Sequence, residues 1–280
     1  MSRLIIGGAA VFVLAASPVS AADLLVRKPI SEAAVYTWNW TGFYVGGALG
    51  GKWANTTWTT TSTSDFPGTI VDASSPRDYR PSGFRAGGYT GYNWQIASWV
   101  VGLEADLAWA NNTATSAGIP GCAILCFPGA PGPGVDVAYV KMGWDASVRA
   151  RLGYLMTPDL LIYATGGVAW QNIETSGTCQ HSLADPQCSV SAGFPFDTQT
   201  NSRTLAGATI GGGLEKMYGN WLLRGEYRYS RFGNLNGVLN FGAPGAPPGT
   251  DFSRYNLSVN TNIVTVSLAY KFGDPFVARY

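Results

Sequence analysis

The chain has 280 residues, only 12% of them charged, with 18 Lys and Arg against 17 Asp and Glu and a formal net charge of +1. That charged share is about half the ~25% of a soluble domain, and it excludes a binder of polyanions that works through a basic excess. A single histidine, His181, gives a His-based triad or a His-rich metal centre at most one residue to draw on, 13% aromatics argue against disorder, and no run reaches the ~20 apolar residues of a membrane helix.

The first element is an address. Arg3 supplies a positive start, Leu4–Ala16 is apolar or small throughout, Ser17-Pro18 breaks the run, and Val19-Ser20-Ala21 puts small residues before a cut. This reads as a secretory signal peptide over 1–21, cleaved after Ala21 or Ala22. The apolar run is too short to span a bilayer. Residues 22–39 form a lead-in, a periplasmic tether or merely an approach to the first strand.

Eight segments then alternate with period two, the pattern of a half-buried strand. Gly42–Trp53 and Gly83–Gln95 come first, glycine-rich and weak. Next, Val101, Leu103, Ala105, Leu107 and Trp109 oppose Glu104 and Asp106. Trp144, Ala146, Val148, Ala150, Leu152 and Tyr154 oppose Asp145, Ser147, Arg149 and Arg151. Leu160, Ile162, Ala164, Val168 and Trp170 follow, then the glycine-rich Arg203–Met217. Trp221, Leu223, Tyr227 and Tyr229 oppose Arg224, Glu226 and Arg228. Last, Val264, Val266, Leu268, Tyr270 and Phe272 oppose Thr265, Ser267, Ala269 and Lys271.

The connections alternate in length. Ile96–Ser98, Met156–Asp159 and Tyr218–Asn220 are short. The other four run to about 25–30 residues and are rich in Gly, Pro, Ser, Thr and Asn, lengths uncommon in a compact soluble domain. Short turns on one side and long loops on the other fit an outer-membrane barrel with its turns in the periplasm. The expected fold is therefore all-β: an eight-stranded antiparallel up-and-down transmembrane β-barrel spanning 40–272, with four long extracellular loops and a periplasmic tail over 273–280.

Two long loops carry the four cysteines. Export implies an oxidising compartment, and local pairing predicts Cys122–Cys126 and Cys179–Cys188 disulfides. Four cysteines allow two other pairings. A zinc site fits poorly, because eight residues separate the second pair where two to four are usual. No metal or cofactor is expected.

The tryptophans test the orientation. By strand parity Trp53, Trp109, Trp144 and Trp170 stand at the outer ends of the apolar face, and Trp94, Trp99 and Trp221 at the periplasmic ends. Two aromatic rings are what a barrel in lipid requires. A soluble barrel would explain the alternation but not the two levels. The charged face must then point into the lumen, since Arg or Lys at mid-bilayer costs ~2–4 kcal/mol. Counted from the periplasmic ends, Glu104, Arg149 and Glu226 come out level. Arg151 and Arg224 lie two residues nearer the periplasm, Asp106 and Arg228 two further out. An eight-stranded barrel has room for little more than side chains, so these seven groups are expected to pair and plug it. The alternative is that some of them line a narrow water path.

Each carboxylate has arginines at its own level, which favours ion pairing over acid–base catalysis, and no enzyme activity is expected. Gly207-Ala208-Thr209-Ile210-Gly211-Gly212-Gly213 lacks the Lys-Ser/Thr of a phosphate loop. Lumen crowding and strand curvature explain these glycines better.

Four pieces carry a family resemblance: Trp40-Thr41-Gly42-Phe43-Tyr44-Val45-Gly46-Gly47, Gly87-Gly88-Tyr89-Thr90-Gly91-Tyr92-Asn93-Trp94-Gln95, Gly102-Leu103-Glu104-Ala105-Asp106 and Leu268-Ala269-Tyr270-Lys271-Phe272. With Ala22-Asp23-Leu24 after the signal, the chain resembles the small outer-membrane immunogenic or porin-family proteins of alphaproteobacteria, whose fold is similar to the OmpA transmembrane barrel. The resemblance implies an abundant surface antigen in a Gram-negative outer membrane, associated with lipopolysaccharide and envelope integrity, sometimes credited with pore activity. It carries no catalytic residues. Such chains commonly end on the aromatic of the last strand. Here Gly273–Tyr280 follows, and Pro275 makes it a poor strand continuation, so Tyr270 and Phe272 are expected to be the signal for the barrel-assembly machinery.

The expected function is an envelope-structural barrel and surface antigen. The runner-up is a narrow passive porin; a third reading is a loop-borne binder of a ligand or host surface. The expected partners are outer-membrane lipid, lipopolysaccharide and the assembly machinery, with no nucleic acid. The sequence does not fix an oligomeric state.

Overall fold

A computed structural model describes residues 35–63, 71–121, 136–180, 196–241, 252–273 and 276–278. The described residues form thirteen strands: β1 (Val35–Thr37), β2 (Gly42–Thr63), β3 (Arg77–Tyr79), β4 (Ser82–Ile96), β5 (Trp99–Ala110), β6 (Asn112–Ala117), β7 (Val137–Thr157), β8 (Leu160–Gln180), β9 (Phe196–Tyr218), β10 (Trp221–Phe232), β11 (Leu235–Asn240), β12 (Phe252–Lys271) and β13 (Phe276–Ala278). Eight of them close a ring in the order β2-β4-β5-β7-β8-β9-β10-β12, and β12 returns to β2 through a ladder that runs from Lys271↔Tyr44 to Ser253↔Thr63. Every neighbouring pair is antiparallel. Closure leaves no free edge around the ring, which is how strands cross a medium without hydrogen-bonding water.

The short connections are two-residue turns, Ala97-Ser98, Pro158-Asp159 and Gly219-Asn220. Ala97 has φ of 54° and Gly219 of 60°, the left-handed conformation that lets a two-residue turn follow the twist of its strands. At this end the expected strand limits hold within a few residues.

At the other end they do not. The strands were expected to stop near Trp53, Trp144, Trp170, Arg203 and Val264, but β2, β7, β8, β9 and β12 continue outward by seven to twelve residues. Segments read as solvated loop, such as Asn55–Thr63, are strand. Their threonines are β-branched and suit extended backbone, and every second residue (Ala54, Thr56, Trp58, Thr60) is buried. Two further departures lie at the edges of the ring. β6 pairs only with β7 and β11 only with β12, so the outer wall has seams that side chains bridge. The C-terminal tail does not continue β12. Its β13 pairs antiparallel with β1 from the lead-in, Val35↔Ala278 to Thr37↔Phe276, as a two-stranded ribbon.

The export signal at 1–21, His181, Cys122, Cys126, Cys188 and the side chain of Cys179 lie outside the described residues.

Candidate functional site

The seven tryptophans expected at two levels all face outward. Trp94 with Trp99 and Trp221 stand beside the short turns, where Trp99 packs on Tyr154 and Trp221 on Tyr270 at centroid distances of 5.2 and 5.3 Å. Trp53, Trp109, Trp144 and Trp170 stand where the exterior turns from apolar to polar. Between the two rings the outer wall is mostly Val, Leu, Ile, Phe, Ala and Gly, with Tyr227 and Thr90 among them, and Val266 is 62% and Ile210 65% exposed. Tyr270 and Phe272, the expected assembly signal, lie on this outer face near the turns, their rings 5.2 Å apart.

The inner face is the opposite. Glu104, Asp106, Arg149, Arg151, Arg224, Glu226 and Arg228 all point into the lumen, and all but the half-buried Asp106 are buried. Four further charges join them that sequence reasoning left out of the layer: Lys52, Arg85, Asp145 and Glu215. The eleven groups form one connected network. Arg149 reaches Glu104 at 2.6 Å, Glu226 at 2.7 Å and Asp106 at 3.5 Å. Arg224 bridges Glu104 and Glu215, both at 2.6 Å, and Arg151 meets Glu215 at 3.0 Å. Arg85 bridges Asp106 and Asp145 at 2.6 Å each. Arg228 binds Asp106 at 2.7 Å, and Lys52 binds Asp145 at 2.8 Å.

Neutral side chains complete the network. Tyr44 donates to Glu104 at 2.8 Å and Tyr163 to Glu226 at 2.7 Å. Ser147 donates to Asp106, and Lys52 to Gln171. The guanidinium of Arg151 lies over the Tyr163 ring at 4.2 Å and that of Arg224 over Tyr89 at 4.5 Å, a cation–π geometry. Glycines make the room: a Cβ on Gly213 would sit 2.8 Å from the Tyr163 hydroxyl, and one on Gly102 would sit 3.0 Å from Cγ of Arg151.

Apolar layers lie above and below. The floor is Trp40, Tyr44, Val100, Leu161, Met217 and Leu222 with their neighbours. Trp40 precedes the first ring strand and folds under the barrel. Its backbone N–H donates to Gln95 Oε1 at 2.8 Å, and its indole N–H crosses to the Pro158 carbonyl at 3.0 Å. The ceiling is built by the outward extensions: Trp58, Val140, Met142, Ile173, Phe232, Leu239, Tyr255 and Leu257 form one buried cluster, with Trp58 stacked on Tyr255 at 4.1 Å. A void between Asp145, Gln171, Arg228, Phe232 and Ile263 measures about 10 Å³, room for about one water. Among the described residues no cluster of His, Cys, Asp and Glu could hold a metal ion.

The missed members had weak signals. Lys52, Arg85 and Glu215 have lumen parity but sit in glycine-rich strands, where the alternation is hard to phase. Asp145 stood on the charged face of its segment and was left out of the layer only because it lies one step further out. Trp40 carried no strand signal at all.

Comparisons agree with this architecture. Residues 9–272 match the family model described as outer membrane protein beta-barrel domain. The 31 kDa outer-membrane immunogenic protein of Brucella melitensis is 32% identical over 273 residues, covering 94% of this chain and 98% of that protein. The 22 kDa outer membrane protein of Rhizobium leguminosarum is 28% identical over 235 residues, covering 84% and 79%. Among solved structures, the outer membrane protein OprG of Pseudomonas aeruginosa is similar with a TM-score of 0.49 at 13% identity, covering 85% of this chain and 99% of that one. The closed eight-strand ring, its lipid-facing wall between two aromatic bands and the family match over nearly the whole chain lead to one assignment: this chain belongs to the outer-membrane β-barrel family and is an integral protein of the outer membrane.

Proposed function

We propose that this barrel is a closed structural and surface-displayed component of the envelope, not a channel. One observation carries the reading: the ion-pair network lies between two buried apolar clusters. A water path would have to cross the Trp40 floor, the charged layer and the Trp58 ceiling in turn. Buried charges with hydrogen-bonded partners are stable in such a place, and unpaired ones each cost several kcal/mol. The lumen carboxylates are each held by cations at 2.6–3.0 Å, which supports a structural role for them over acid–base catalysis. The long outer extensions and the relatives named outer-membrane immunogenic proteins support a role as surface antigen. The partners that follow are outer-membrane lipid, lipopolysaccharide and, during insertion, the barrel-assembly machinery reading Tyr270 and Phe272.

A deletion strain tests this. Loss of the protein should raise sensitivity to detergent while leaving the uptake rate of small solutes unchanged. Slower uptake, restored by the intact gene, would make the chain a porin and overturn the reading.

A further inference from the structure

Both chain ends leave the ring at one corner. β2 begins at Gly42 with φ of 143°, and just past β12 Gly273 has φ of 118°. Both angles lie where a residue with a side chain is strained. The two turns are adjacent. The Phe272 N–H donates to the Phe43 carbonyl at 2.7 Å, and a Cβ on Gly42 would sit 2.6 Å from the Phe272 carbonyl oxygen. The lead-in and the tail meet again in the three residue pairs of the β1–β13 ribbon.

Between the ribbon and Gly42 lies a strap, Trp38–Thr41, that belongs to no ladder. Trp38 is exposed, whereas Trp40 is fully buried. The Trp40 indole N–H reaches the Pro158 carbonyl. Pro158 stands in the turn between β7 and β8, the fourth and fifth strands of the ring counted from β2, so the strap crosses the mouth to its far side. Its other ties are local. Trp40 N–H donates to Gln95 Oε1, Gln95 N–H to Thr41 Oγ1 at 3.0 Å and Thr41 N–H to Asn39 Oδ1 at 2.9 Å.

The groups under the strap are poorly satisfied. Lys271 is buried on the inner face beside both glycines. Its ammonium donates to the Thr41 carbonyl of the strap at 3.3 Å and, among the described residues, forms no ion pair. Asn93 is fully buried, and neither atom of its amide has a hydrogen-bond partner among the described residues. Polar groups buried in this way cost stability that contact with water returns. The closed floor is therefore held against a local cost. Its brace is small as well, since a two-stranded ribbon is by itself only marginally stable. To lift, the strap has to turn at both glycines together or unzip three residue pairs. Residues at the ends of elements are where hinges take up such rotation.

We propose that the Trp40 strap is a hinged flap, braced by the β1–β13 ribbon, that swings about Gly42 and opens the base of the lumen at the short-turn mouth. Opening uncovers Lys271 and Asn93 and leaves the charged layer and the Trp58 ceiling in place. The open state is thus a blind cationic vestibule, not a channel. The flap goes beyond the closed-barrel reading and is separable from it: current steps from the folded parent would count against closure and leave the flap untouched.

The test is amine acetylation of the mature protein, folded in detergent micelles and read by mass at each lysine. Heat-shifted gel mobility establishes that each variant is folded. Lys141 and Lys216, partly exposed, report free access, and Lys52, buried in the charged layer, reports the intact ring. In the parent, Lys271 should react more slowly than the two surface lysines and faster than Lys52. A chain ending at Pro275 lacks β13, and its Lys271 should react at least ten-fold faster than the parent's with Lys52 unchanged. Trp40→Ala should bring Lys271 close to the rate of the surface lysines. A parent Lys271 as slow as Lys52 would make Trp40 a fixed stopper and overturn the flap. An unchanged Lys271 rate in the shortened chain would overturn the ribbon as its brace. Lys271 and Lys52 rising together would make the tail part of the ring's own stability and overturn the proposal too. Continued protection of Lys271 in Trp40→Ala would mean that the strap is not its cover.

Discussion

The two halves of β12 show one pattern with opposite meaning. From Val264 to Tyr270 the outward residues are Val, Val, Leu and Tyr, and the inward ones are Thr265, Ser267 and Ala269. From Tyr255 to Asn260 the inward residues are apolar (Tyr255, Leu257, Val259), and the outward ones are Asn256, Ser258 and Asn260. The switch falls at Ile263, beside the pairing of Asn262 with Trp53. The period never changes; what changes is the medium outside. In lipid the wall must be apolar, and the narrow lumen takes the polar groups. Above the girdle the wall meets water and the lumen becomes an ordinary apolar core.

The strongest way to break this comparison is inside the charged layer. Arg149→Ala leaves Glu104 and Glu226 without their shared partner, so stability in urea should fall by about 3–5 kcal/mol. A loss under about 1 kcal/mol would mean that water already reaches the layer.

The inversion itself is tested on one face of one strand. Val266→Lys puts a charge in the lipid and should cost about 2–4 kcal/mol. Ser258→Lys, on the same face eight residues outward, should stay within about 0.5 kcal/mol. Equal costs would place both positions in the same medium. A smaller effect separates pairing from packing. Arg149→Met with Glu226→Leu should recover part of the single-variant loss, with a coupling of about 0.5–3 kcal/mol in a double-mutant cycle; additive losses would mean the two side chains do not act as a pair.

The faintest effect lies in the β7–β8 turn, outside the membrane. Hydrogen bonds from Thr157 and Lys216 hold the Asp159 carboxyl below its usual range. A lowered folded-state value means that the contribution is present above the unfolded pKa of ~3.9 and fades as pH falls through the folded value. Urea midpoints of the parent and Asp159→Asn should therefore differ slightly at neutral pH and converge in strong acid. A gap that widens in acid would contradict this.

What could be read in advance follows from the same inversion. The membrane half was legible because charged residues alternate against Trp, Leu and Val, so parity alone assigned Glu104, Arg149 and Glu226 to one layer. Lys52, Arg85 and Glu215 were not legible, because they sit in strands rich in glycine (Gly50-Gly51, Gly87-Gly88, Gly211-Gly212-Gly213), which contrasts with neither lipid nor water. The outer extensions were missed because Thr56-Thr57-Trp58-Thr59-Thr60 was judged by its polarity. The apolar half of that alternation faces inward, the reverse of the membrane half. Trp40 was hidden for another reason: it acts through a fold-back under the barrel, and no local periodicity encodes that.

Single-channel recording of the refolded mature protein in a planar bilayer tests closure most directly, with the gel mobility shift showing that the protein is folded. The three stacked layers predict a silent bilayer across the voltage range, and discrete, reproducible current steps from the folded protein would contradict them.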